Sequence, residues 1–189
     1  MRFADNYYIE QGRGEISVDW NDGKLTAQET RNNVDHRVGV ELISGGQTIF
    51  LIQLGDSSPI RPLQGLWTYS NHWVLEVVHV LQQNNSENEL TSPWLGEIIW
   101  DGVSLNDKYD YEESFGFQLM HGKPFYFFQK EGQVGFVYDG QEVLLEYTQV
   151  PHYACCSGAE LNPVSAENMV AFFAQRDGTW YYVEIGVFE

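Results

Sequence analysis

Residues 123–147 read KPFYFFQKEGQVGFVYDGQEVLLEY, and residues 169–186 read MVAFFAQRDGTWYYVEIG. Shifting the first by 46 positions, with no gap, sets Phe127 on Phe173, Gly132 on Gly178 and Gly140 on Gly186. Each copy places aromatic-rich runs on either side of a dipeptide, Glu131-Gly132 or Asp177-Gly178, of the kind that supplies a hairpin turn. Extended at both ends, the first copy gains FGFQLM before a turn at His121-Gly122 and QEVLLEY after a turn at Asp139-Gly140. Four short strands joined by glycine-containing turns predict a four-stranded antiparallel meander.

Weaker echoes extend the repeat towards the N-terminus. GEIIWDG, residues 96–102, lies under VGFVYDG, residues 134–140, with Ile99 under Val137 and Trp100 under Tyr138. WVLEVV, residues 73–78, takes the place of FYFFQK 52 positions earlier, and the polar run 82–93, QQNNSENELTSP, replaces the turn between these two strands. GEISVDW, ending at Asp22-Gly23, is a fainter copy. Spacings of 46 and about 50 fit a four-stranded propeller blade, a unit that must stack on neighbours to bury its faces. The expectation is therefore one all-β domain, 1–189, made of blade-like repeats at roughly 1–60, 61–114, 115–160 and 161–189. A β-sandwich or a closed barrel built from the same hairpins is the competing architecture.

The remaining segments read in the same way. NYYIEQ and GEISVDW alternate apolar with polar residues, RVGVELIS and QTIFLIQL flank Gly45-Gly46, and GLWTYSN meets HWVLEVVHV at Ser70-Asn71. The broken alternation of HWVLEVVHV suits a strand covered on both faces. GDSSPIRPLQ, residues 55–64, is a proline-containing connection. In VSLNDKYDYEESFGF, residues 103–117, the charges and Gly116 mark a turn between strands, and residues 150–167 form a looser connection.

A chain of 189 residues buries roughly 70% of its unfolded surface, so metal or disulfide staples are not required. Its apolar content of 43%, including 6 Trp, 11 Tyr and 11 Phe, excludes a disordered chain and favours strands. The formal charge of -17 repels phosphate backbones and anionic headgroups, which excludes nucleic acid as a partner and serves solubility. No run approaches the ~18 apolar residues of a membrane helix, so no membrane insertion is expected. The start, MRFADNYYIEQGRGE, lacks the basic and apolar regions of a signal peptide. This leaves a cytoplasmic protein, or a mature exported domain whose signal has been removed. Low lysine with high Trp, Tyr, Asn and Gly favours the second, an extracellular or cell-surface location.

The run NHWVLEV, then YEESFGFQLMHGKPFYFF, then VYDGQE, PHYACCSGAELNP and TWYYVEIG, resembles a group of uncharacterised bacterial proteins, taken to be exported. The resemblance covers roughly residues 60–189 and implies no activity and no functional residue.

Chemistry-bearing residues are few. His152, Cys155 and Cys156 cluster in PHYACC; the adjacent cysteines form a vicinal disulfide in an oxidising compartment or stay free thiols in a reducing one. Three local ligands fall short of the four of a structural zinc site, which leaves metal binding unassigned. Asp107, Asp110, Glu112 and Glu113 match no calcium loop and read as a solvated acidic turn, and Asp19 to Gly23 reads as an Asx-rich hairpin turn. There is no GxSxG, HExxH, GxxxxGK or GxGxxG, so no catalytic residue and no cofactor are assigned. His36, His72, His79, His121 and His152 are scattered, as hydrogen-bonded structural histidines are.

Aromatic residues crowd the middle of the chain, at Trp67, Tyr69, Trp73, Trp94, Trp100, Tyr109 and Tyr111. Of these, Trp67, Tyr69, Trp94, Tyr109 and Tyr111 are the candidates for stacking on a sugar or anchoring a protein, against the plainer reading that they fill the core. The function expected is a non-catalytic extracellular binding domain with a protein or glycan partner. A structural subunit that self-associates through edge strands such as NYYIEQ or TWYYVEIGVFE is the alternative. A hydrolase using two of the 27 acidic residues as a pair comes third.

Overall fold

The computed structural model of the chain describes residues 14–21, 23–31, 37–55, 61–80, 94–153 and 161–187. Its strands are β1 (Glu15–Trp20), β2 (Gly23–Arg31), β3 (Val38–Ser44), β4 (Gln47–Gly55), β5 (Leu63–Tyr69), β6 (His72–Val80), β7 (Trp94–Trp100) and β8 (Val103–Ser104). After one short helix, α1 (Leu105–Tyr109), come β9 (Glu113–Met120), β10 (Lys123–Lys130), β11 (Gln133–Tyr138), β12 (Gln141–Tyr147), β13 (Val164–Ala166), β14 (Met169–Arg176) and β15 (Thr179–Gly186). They form four open antiparallel sheets with neighbours in chain order: β1-β2-β3-β4, β5-β6-β7-β8, β9-β10-β11-β12 and the three-stranded β13-β14-β15. The protein is all-β, and its sheets are blade-like meanders and not a closed barrel.

Turn chemistry sets this order. Positive φ at both central residues occurs at Gly45-Gly46, Ser70-Asn71, Asp101-Gly102, His121-Gly122, Glu131-Gly132, Asp139-Gly140 and Asp177-Gly178. Two such residues make the tight turn whose twist matches that of the flanking strands. The 46-residue shift also holds in the fold: both bounds of β10, Lys123 and Lys130, move onto those of β14, Met169 and Arg176.

The chain divides into two compact units, residues 1–95 with 100–102 and residues 96–99 with 103–189, so the boundary falls inside β7. In the first unit Leu25, Ala27, Val40 and Leu42 are fully buried along one face of β2 and β3. Phe50 of β4 lies 5.4 Å, centroid to centroid, from Trp73 of β6. Every residue of β6 from Trp73 to Val78 is buried, as expected of a strand covered on both faces. In the second unit Phe115, Met120, Phe125, Phe127, Val134, Val150, Val170, Phe172 and Ala174 form one core. Phe127 meets Phe172 edge-on at 4.9 Å and joins the two copies of the repeat. Burial of each such ring contributes about 1.5–3 kcal/mol.

The segment 103–117 corrects the expectation of a turn. Ser104 caps α1 by accepting the Asp107 N–H at 3.3 Å, and Asp110 ends it in the left-handed region at φ 58. The carboxylate of Asp107 in the first turn and the ammonium of Lys108 in the last suit the helix dipole. Gly116 marks no turn either: it sits inside β9 at φ 67, where two residues, Gly116 and Phe117, face the single Tyr126 of β10. This is a bulge, a role glycine fills because its left-handed conformation carries no Cβ penalty. The run NYYIEQ, the insertion 82–93 and Cys155-Cys156 lie outside the described residues. Among the described residues no helix is long and apolar enough to cross a membrane.

Candidate functional site

Three constellations carry chemistry, and the first is a buried pair. Glu113 opens β9 with its side chain 9% exposed, and His152, in the connection after Val150, is 15% exposed. The Nε2 atom of His152 lies 2.9 Å from Glu113 Oε1, and Nδ1 lies 2.7 Å from the Val150 carbonyl oxygen. A carbonyl only accepts, so Nδ1 carries a hydrogen. Glu113 Oε1 also accepts the Gly96 N–H at 2.6 Å. The imidazole stacks on Phe115 with centroids 3.6 Å apart.

Both ring nitrogens are therefore engaged in bonds, Nδ1 within the 150–153 segment and Nε2 in the one that fastens that segment to β9. To accept a substrate proton or to coordinate a metal, His152 has to give one of them up. Residues 96–99 are fastened in the same way: Ser114 Oγ accepts the Ile98 N–H at 2.9 Å, and Asn106 Nδ2 donates to the Gly96 carbonyl at 3.0 Å. A Cβ on Gly96 would stand 2.8 Å from the Ser114 carbonyl oxygen, a backbone atom that cannot swing aside, so glycine suits this position. Among the described residues no group of three or more His, Cys, Asp or Glu is placed to share a metal ion.

The second constellation holds Tyr109 and Tyr111, whose rings lie 5.5 Å apart. Tyr111 is buried, stacks on Phe128 at 4.4 Å and donates its hydroxyl to Glu142. Burial, followed by the hydrogen bond to Glu142, holds the Tyr111 phenol well above the ordinary tyrosine range. Burial first, then the neighbouring Tyr109, raises the Tyr126 phenol as well. Lys130 Nζ donates to the Tyr109 carbonyl at 2.8 Å and lies 5.6 Å from the centre of the Tyr111 ring. Tyr111 is thus committed to an internal network, while Tyr109 keeps an exposed ring.

The other predicted aromatics stand in the first unit. Trp67 and Tyr69 share one face of β5; the Trp67 ring lies over Gly65, and Tyr69 meets Trp100 edge-on at 6.3 Å. Trp94 begins β7 and is half-buried. His72 bonds Asp101, whose Oδ1 also accepts the Trp73 N–H at 3.0 Å. All three predicted aromatics of this unit are partly exposed, and each lies on or beside a strand.

The third constellation lies outside the predicted binding aromatics, although its strand TWYYVEIGVFE is a predicted pairing edge. In β14 and β15, Phe173 pairs with Tyr182, Gln175 with Trp180 and Ala171 with Glu184. Alternation puts Val170, Phe172 and Ala174 in the core, so Phe173 and its partners occupy the opposite face. There Phe173 is 37% exposed, Trp180 46% and Tyr182 60%. The Phe173 and Tyr182 rings lie 5.6 Å apart at 60°, and Trp180 follows two residues along the strand, about 7 Å away. Val164 of β13, paired with Ala171, continues this open surface, on which Glu184 is the one charged side chain among the strand residues in register. Strand periodicity about the Asp177-Gly178 turn puts Phe173, Trp180 and Tyr182 on one face, but AFFA and WYYV are apolar on both faces, so residue type does not say which face is open. A comparison with protein-family models gives no match, and neither does a comparison with curated proteins.

Proposed function

We propose that this chain is a non-catalytic binding domain of an exported bacterial protein and that its contact surface is the open aromatic face of β13, β14 and β15. The observation that carries the reading is the row Phe173, Tyr182 and Trp180, three large rings on one open face. Such rings offer a large apolar contact with only two rotatable bonds to immobilise each, which suits stacking on a sugar or anchoring a polypeptide. The engaged nitrogens of His152 support a binding role over proton transfer. The acidic charge of -17 and the aromatic composition support work outside the cytoplasm.

The test is a tryptophan-fluorescence titration of the wild type and Trp180→Ala against a panel of neutral glycans and extended peptides. A saturable response in the wild type that Trp180→Ala loses supports the proposal. No response to any member, or an equal response in both proteins, overturns it.

A further inference from the structure

The edge of β15 points to the class of ligand. Under the 46-residue shift β15 stands where β11 stands in the preceding sheet, and there the outer edge of β11 is covered by β12. Among the described residues nothing covers the outer edge of β15. Val187 donates its N–H to the Asn168 carbonyl at 3.0 Å, so by alternation the amides of Thr179, Tyr181, Val183 and Ile185 face β14. Those of Trp180, Tyr182 and Glu184 face outward. Their equivalents in β11 are Val134, Phe136 and Tyr138, which pair with Tyr147, Val143 and Gln141 of β12.

The edge carries little of the usual protection, with Glu184 as its one charged side chain. Thr179–Gly186 contains no proline, lysine or arginine, the residues by which natural edge strands resist pairing. A row of outward amides and carbonyls at strand spacing is matched by another extended backbone, and the exposed Trp180 and Tyr182 rings lie beside it to receive alternate side chains. Charge selects among backbones: the chain carries -17 and this face adds Glu184. A second copy brings two such charges together, whereas a basic strand neutralises them.

We infer that β15 binds an extended, lysine- or arginine-bearing polypeptide segment as the fourth strand of its sheet. This rests on the binding reading above and specifies its ligand.

The test follows backbone amide exchange by NMR in the full chain, with a seven-residue peptide alternating valine and lysine as the probe. In the free protein the amides of Trp180, Tyr182 and Glu184 are expected to exchange readily while those of Tyr181, Val183 and Ile185 are protected. Adding the peptide is expected to protect the first set, with affinity falling at least tenfold when lysine is replaced by glutamate or when a central proline interrupts the peptide. The variant Tyr182→Pro, which removes one outward N–H and keeps the inward ladder, is expected to lose the response at least tenfold.

Outward amides already protected in the free protein at every concentration overturn the inference, because the chain's own residues then hold the edge. Protection that rises with protein concentration overturns it in favour of a second copy. If the peptide fails while a glycan perturbs Phe173, Trp180 and Tyr182, the inference falls and the binding reading stands. If neither acts, both fall.

Discussion

Phe127 and Phe173 occupy the same place in two copies of one structural unit, 46 residues apart, yet Phe127 is fully buried and Phe173 is 37% exposed. The difference lies in what covers each ring. Phe127 stacks on Phe115 of β9 and meets Phe125 and Phe172, while the partner of Phe173 is Tyr182, itself open. An identical residue in an identical register is therefore core in one copy and part of an open face in the other.

Substitution separates the two roles. Phe127→Ala removes a ring from a filled core and is expected to cost about 3–5 kcal/mol of folding stability. Phe173→Ala, on an open face, is expected to cost no more than about 0.5 kcal/mol. Urea denaturation checks both; equal losses contradict the assignment of faces.

The Glu113–His152 pair is expected to be structural. His152→Ala leaves the Glu113 carboxylate buried beside the Gly96 N–H alone and is expected to cost about 3 kcal/mol, the range found when one partner of a buried pair is removed. Glu113→Gln still accepts from Gly96 and is expected to cost less, about 1 kcal/mol. Chemical denaturation of both variants provides the check, and near-neutral values for both contradict the pair's role in holding the 150–153 segment.

Tyrosine ionisation reads out the Tyr111 and Tyr126 network. Both phenols are raised in the folded state, so the folded chain keeps protons that unfolded tyrosines release near pH ~10. This contribution to stability is full below that pH and is lost as pH rises towards the raised folded values. In a spectrophotometric titration at least two of the eleven tyrosines are expected to resist ionisation until the chain unfolds. All eleven titrating together near the ordinary value contradicts the buried network.

The sequence showed what local chemistry decides. The dipeptides His121-Gly122, Glu131-Gly132, Asp139-Gly140 and Asp177-Gly178 allow few conformations, so turns and strand order followed from them. Long-range contact was hidden: Glu113 and His152 are 39 residues apart and meet only when the second unit folds. The helix α1 is too short for a helical period to show, although Ser104 followed three residues later by Asp107 is a capping signal. Gly116 looked like a turn because glycine marks bulges and turns alike. The mid-chain aromatics are numerous, but Tyr111 is buried in a hydrogen-bonded network. The open aromatic row lies at the C-terminal sheet, and no feature of residue type distinguishes Phe173 from Phe127.

The binding proposal puts the ligand on the face bearing Phe173, Trp180 and Tyr182. It is tested most directly by measuring the binding of wild type and of Trp180→Ala/Tyr182→Ala to the ligand that responds in the fluorescence panel, with circular dichroism as the check on folding. Affinity at least tenfold weaker in the double variant, about 1.4 kcal/mol or more, is expected with an unchanged spectrum. Undiminished binding by a folded double variant contradicts it.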